Sequence, residues 1–191
     1  MMPAILELPE VRQRISPLSV EEYHQLGEFN EHGKRTELIR GILIEKMSKS
    51  PLHRTIVSLL YRMFLARLPS GFTVWQEQPL TLADSEPEPD ISVIRGGERD
   101  FLEAHPTTAE LVVEVAVSSP ALDRENASLY AEAGVKEYWI VLGRARQVEV
   151  YRRPENGRYQ DTRVVGVKDI LECLSVPGVR IPIADLIRAT L

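Results

Sequence analysis

Two short runs constrain this chain more than any other stretch: Glu86-Pro-Glu-Pro-Asp90-Ile-Ser-Val-Ile94 and Glu110-Leu-Val-Val-Glu114-Val-Ala-Val117. Each reads as a strand but carries a carboxylate. A strand covered on both faces is a nearly continuous run of Val, Ile and Leu. Glu114 therefore faces a solvated cleft or needs a compensating partner, and Asp90 is the obvious neighbour.

The rest of the chain supplies elements that can pack around these runs. Residues 1–17 show no clear period and read as an arm or edge segment. Ser19-Val-Glu-Glu22 has the capping-box spacing and opens a helix to about Phe29, closed by Asn30-Glu-His-Gly33. Residues 36–47 are rich in branched side chains and predict a strand or hairpin, with Gly41 allowing a bulge or turn. Ser50-Pro51 then reads as an N-cap and first helical position. The helix continues to about Leu68, with Ile56, Val57, Leu60, Met63, Phe64 and Leu68 on one stripe.

Residues 72–82 alternate as an extended strand, with Pro79 marking an edge or bend, and residues 95–108 form a polar excursion. After the Glu114 run, a helix over 121–133 ends at Gly134; its inward stripe is Leu122, Asn126, Leu129, Tyr130 and Ala133. Strands are predicted over 136–142, 147–151 and 158–165, followed by a short extended piece near 178–182 and a terminal helix from Ile183.

This is an α/β pattern. With 191 residues, 43% hydrophobic and 27% charged, it predicts one domain over 1–191, with an N-terminal arm (1–17) and a core at about 18–153. Cys173 is the single cysteine, which excludes an intrachain disulfide framework. There is no apolar run of membrane-spanning length, so a soluble cytoplasmic protein is expected. A net charge of -5 argues against a strongly basic nucleic-acid coat but leaves room for a nuclease, whose metal ions offset carboxylates locally.

Two carboxylates from neighbouring strands, with Glu37 as a third from a nearby element, suit a hard divalent cation such as Mg²⁺. Such an ion acidifies water and stabilises charge developing on a phosphate oxygen, so it supports phosphodiester hydrolysis. On spacing alone an equal reading stays open, in which Asp90 caps a strand end and Glu114 makes a structural ion pair. Asn126, a polar residue on an apolar stripe, is aimed at the sheet that holds Glu114 or is a surface amide near the helix start. His32 and His105 lack a second ligand at metal spacing, and Tyr138 and Trp139 read as packing or oligomer contacts.

Several pieces occur in a specific order: Glu37-Leu-Ile-Arg-Gly41, Ser50-Pro-Leu-His53, Gln78-Pro-Leu80, Pro89-Asp90, Leu111-Val-Val-Glu114-Val, Ser119-Pro120, and Tyr130-Ala-Glu-Ala-Gly-Val-Lys-Glu-Tyr-Trp-Ile-Val141. From about Ser16 to Arg153 the chain resembles a large bacterial restriction-endonuclease-like family of the PD-(D/E)xK superfamily, formerly a domain of unknown function. The resemblance implies a restriction-endonuclease-like core: a mixed central sheet flanked by helices, with additional β-hairpins. It implies a Mg²⁺- or Mn²⁺-dependent DNA endonuclease, working as a dimer, for which the strand of Val148, Val150 and Tyr151 could pair at an edge. Carried over by position, Asp90 and Glu114 match the metal-binding pair, Glu37 the upstream acid and His53 the helix-borne histidine.

The lysine departs from the pattern. Ala116 stands two residues beyond Glu114, and Asn126 stands in the following helix where this family typically places the lysine. Arg124, Lys49 and Lys136 are the cations that could substitute, with Arg124 and Lys136 ranked alike. Asparagine can bond a water but brings no charge, so two functions stay open: a metal-dependent endonuclease, or a silent nuclease fold that binds nucleic acid or a protein.

Overall fold

The computed structural model describes residues 8–28, 35–46 and 48–188. The helix stop expected at 30–33, His32 and residues 189–191 lie outside them. The chain divides into two compact units, residues 1–46 with 83–87, and residues 47–82 with 88–191.

The smaller unit contains α1 (Pro9–Arg12), α2 (Val20–Glu28), β1 (Thr36–Ile39) and β2 (Ile42–Glu45). The capping box forms as the spacing predicts: the Glu22 amide donates to Ser19 Oγ at 3.1 Å, and the Ser19 amide donates to the Glu22 carboxylate at 2.8 Å. β1 and β2 pair through Arg40-Gly41, both at positive φ (53° and 72°), the twist-matched two-residue turn that favours glycine. A side chain at Gly41 would also collide with Pro17. Residues 84–86 lie along β1, where the Glu86 amide donates to the Leu38 carbonyl at 2.7 Å.

The larger unit is built on a six-stranded sheet in the order β3 (Phe72–Trp75), β4 (Ile91–Arg95), β5 (Leu111–Ala116), β6 (Glu137–Leu142), β7 (Gln147–Glu155), β8 (Arg158–Gly166). β5 and β6 run parallel and the other pairs antiparallel, so the sheet is mixed. A parallel pair cannot be closed by a hairpin, and α4 (Ala121–Glu132) makes the crossover. β9 (Ile170–Glu172), which has no clear signal in the sequence, pairs with β10 (Arg180–Pro182) ahead of α5 (Ile183–Arg188).

Period-2 alternation divides the sheet's residues between two faces. Val113, Val115, Trp139, Val141, Val148 and Val150 join a core with Ile56, Val57, Leu60 and Phe64 of α3 (Pro51–Leu65) and with the C-terminal segment. The alternate residues Tyr138 and Tyr151 form an aromatic cluster with Tyr130 of α4 and with Tyr159, ring centroids 4.8 to 6.4 Å apart.

Three expectations are corrected. The strand predicted over 72–82 stops at Trp75, because the chain turns at Glu77, whose φ is 54° and whose amide donates to the Pro89 carbonyl. Of the expected α4 stripe, Asn126, Leu129 and Tyr130 are buried, but Leu122 is exposed and Ala131 is buried in place of Ala133. The strand carrying Val148, Val150 and Tyr151 is interior, bonded on one side to β6 and on the other to β8, so it offers no edge for a second copy.

Candidate active site

The β4–β5 ladder pairs Ile91 with Val113, so the next step of the register sets Asp90 opposite Glu114 at the ladder's end. Beyond that end, side chains take over the backbone donors. The Asp90 amide donates to Glu114 Oε2 at 3.2 Å, and the Val115 amide donates to Asp90 Oδ2 at 2.9 Å. Each carboxylate is thus held by a main-chain N–H of the other's segment, which fixes both without a flexible intermediary.

The N-terminus of α3 reaches the same corner. Ser50 caps it, its Oγ accepting from the His53 amide at 3.2 Å, and Pro51 occupies the first turn as the sequence predicts. This presents His53 Nε2 to Asp90 Oδ2 at 2.9 Å. His53 Nδ1 is buried and has no hydrogen-bond partner among the described residues. Lys49, just ahead of the cap, places Nζ 2.8 Å from Asp90 Oδ1 and 2.9 Å from Glu77 Oε1.

On the opposite face, Tyr130 of α4 donates its hydroxyl to Glu114 Oε1 at 3.0 Å. Asn126, one helical turn earlier, is buried on the same side of α4. Ala116 ends β5 and is buried.

Burial by itself would raise the Asp90 carboxyl. The His53 hydrogen bond and the charges of His53 and Lys49 outweigh it and hold Asp90 below the ordinary carboxylate range. Burial likewise opposes charge on Lys49, but Asp90 and Glu77 raise its ammonium above the ordinary lysine value. The corner therefore pairs a carboxylate kept ionised with a lysine kept protonated.

The sequence-predicted residues divide accordingly. Asp90, Glu114 and His53 come together, with Asn126 on the helix that covers Glu114. Glu37 lies on β1 of the smaller unit, paired with Lys46 at 2.7 Å. The two cations ranked first are engaged elsewhere: Arg124 grips Glu149, and Lys136 bonds Glu110 at 2.8 Å. Glu77 and Tyr130 join them in the structure: Tyr130 falls on the α4 stripe, which is visible in the sequence, whereas Glu77 lies where the alternation predicts a strand.

Oxygen donors are the right chemistry for a hard divalent ion. Among the described residues no group of three or more His, Cys, Asp and Glu side chains is arranged to hold a metal. Asp90 and Glu114 are the adjacent oxygen donors of this corner, and their carboxylate oxygens already accept hydrogen bonds from Lys49, His53, Tyr130 and two backbone amides.

A family model described as a putative restriction endonuclease, Uma2, matches residues 20–184. A solved structure of similar shape is that of a putative nuclease of DUF820 from Anabaena variabilis, 20% identical, with a TM-score of 0.78 over 92% of this chain and 100% of that one. No curated protein matches the chain. At that identity the likeness speaks to fold, and the mixed six-stranded sheet flanked by helices is restriction-endonuclease-like.

Proposed function

The chain belongs to the Uma2 family of putative restriction endonucleases, and from that premise we propose that it is a divalent-metal-dependent endonuclease hydrolysing DNA phosphodiesters. The observation that carries the reading is the reciprocal hold between Asp90 and Glu114 at the end of the β4–β5 ladder. Two carboxylates locked by each other's backbone keep their geometry when a ligand arrives, which is the preorganisation that catalysis requires.

Asp90 and Glu114 would hold the ion, Mg²⁺ or Mn²⁺. When bound, such an ion polarises the phosphodiester and makes water acidic enough to attack at neutral pH. The chain's own residues do the remainder. His53 orients Asp90 through Nε2, and Tyr130 fixes Glu114 from the α4 side. Buried Asn126 can bond a water but adds no charge.

A nucleic-acid substrate is supported by an open cleft of about 570 Å³ beside α3, lined by Arg54, Ser58, Arg62, Gln76 and Glu77. Arg54, Ser58 and Arg62 recur every fourth residue along one face, an arrangement that suits successive phosphates. No described helix is long and apolar enough to cross a membrane. A cytoplasmic homodimer completes the reading, and a monomeric mass by light scattering would remove the dimer.

The test is incubation with supercoiled plasmid and single-stranded DNA in Mg²⁺ or Mn²⁺. Cleavage is expected from the parent and not from Glu114→Ala; equal cleavage by both would sink the assignment. The second reading, a silent nuclease fold that binds nucleic acid or a protein, is favoured by Ala116 and Asn126. It gains if neither the parent nor Asn126→Lys cleaves and neither binds metal by calorimetry.

A further inference from the structure

Phosphodiester hydrolysis adds negative charge to a corner that already holds Asp90 and Glu114, with Glu77 close by. A site of that sign needs a fixed cation besides any bound metal, or the charge developing on the phosphate is repelled. Arg124 and Lys136 are committed to Glu149 and Glu110. Lys49 lies between Asp90 and Glu77 at 2.8 and 2.9 Å.

An ammonium carries three donors. Two of Lys49's are taken by those carboxylates, and the structure gives no partner for the third among the described residues. Its side chain is 20% exposed, so the remaining N–H has access to a ligand. Glu77 holds the ammonium by an unusual backbone: its φ of 54° lies in the left-handed region, costly for a non-glycine residue, and its amide is tied to the Pro89 carbonyl directly before Asp90. Glu77 also lines the α3 cleft, which sets Lys49 at the end of the surface proposed for the phosphate backbone.

We propose that Lys49 is the catalytic cation of this site, contacting the scissile phosphate through its third N–H, and that Glu77 is the residue that positions it. This rests on the nuclease reading and names a residue that neither the family match nor the spacing around Glu114 identifies. It also accounts for a chain that has Ala116 and Asn126 where a lysine was expected: the charge comes from the segment before α3.

The experiment compares the parent with Lys49→Gln, which keeps hydrogen-bonding capacity without the charge, and with Glu77→Gln. Plasmid cleavage and Mn²⁺ titration calorimetry are both measured. Lys49→Gln is expected to lower kcat at least 100-fold with KM within about threefold, and Glu77→Gln about tenfold. Added methylammonium should restore part of the rate to Lys49→Ala, which a merely structural role would not allow. Mn²⁺ should bind Lys49→Gln several-fold more tightly, because a like charge beside Asp90 is gone.

Parental cleavage by Lys49→Gln with Mn²⁺ bound overturns the role of Lys49 and leaves the nuclease reading standing. Should the parent bind Mn²⁺ without cutting, an unchanged affinity in Lys49→Gln overturns it equally. Failure of the parent to bind metal or to cut removes both readings together. If Lys49→Gln does not fold, Lys49→Met is put through the same measurements with the same outcomes.

Discussion

Glu114 and Glu137 stand on neighbouring parallel strands, each a carboxylate in an otherwise apolar run, and their surroundings differ in kind. Glu137 is closed off. Arg152 Nε donates to it at 2.8 Å, Trp139 Nε1 at 3.1 Å and the Ser175 amide at 2.6 Å, and the Glu137 and Arg152 side chains are 3% and 6% exposed. Arg152 also bonds the Glu172 carbonyl, so the network fastens the β9 segment to the sheet. Burial and the Glu137 charge push the nearby Cys173 thiol up to about 12, which keeps it protonated and inert.

The Asp90–Glu114 corner has fixed donors as well, but Lys49 and Glu77 at its edge are 20% and 23% exposed, and a buried imidazole nitrogen has no partner among the described residues. A buried acid surrounded by rigid, fully used donors holds structure together. One whose outermost partners still face solvent can exchange them for a ligand.

Substitutions can break or sharpen this contrast. The largest effect belongs to Asp90→Asn, which should lower cleavage per folded molecule by about 10⁴-fold; the new amide must also face donors that the carboxylate accepted from, so urea unfolding should show a loss of about 1–3 kcal/mol. An intact rate would place Asp90 with the structural acids. Next is Arg152→Met, which strands a buried carboxylate; removing one partner of such a pair costs about 3–5 kcal/mol. Urea unfolding should show that loss, with cleavage per folded molecule unchanged. Tyr130→Phe deletes one hydroxyl from Glu114 and should cost about 1 kcal/mol, read as a rate loss of about fivefold in the plasmid assay. Unaltered kinetics would mean Glu114 is held without α4.

The smallest effect is at Glu149, a buried carboxylate whose partner Arg124 is exposed to solvent. Its hydrogen bond from Arg124, against opposing burial and with help from Tyr151, lowers its carboxyl below the ordinary 4.5. A depressed folded-state pKa contributes stability that is present above the unfolded value and disappears as pH falls through the folded one. The Tm gap between the parent and Glu149→Gln should therefore be full above the ordinary carboxylate value and shrink as pH falls below it. A gap that acidification leaves unchanged counts against this ion pair.

Much of the fold was legible because its signals are local. Ser19 and Glu22 cap a helix three residues apart, Ser50-Pro51 starts another, and the branched residues of 111–116 and 137–142 can only be buried strands. The carboxylate in the Leu111-Val-Val-Glu114-Val run was conspicuous for the same reason. Leu122 departs from the expected stripe because a count by period does not say which first-turn side chains meet the sheet; there the Asp123 carbonyl and the Arg124 side chain make the contacts.

By itself, then, the sequence determined the helices, the strands of the mixed sheet and the two acids that stand out within it. Only the tertiary structure decided which cation joins them. Lys49 is 41 residues from Asp90, and Glu77 reaches it through a backbone turn that no side-chain pattern announces. Arg124 and Lys136 lie closer to Glu114 in sequence, but strand register delivers Glu149 and Glu110 to them first. Periodicity reports neighbours a few residues apart, whereas charge pairing is settled by the separation of groups in space, and that is known only once the strands have found their partners.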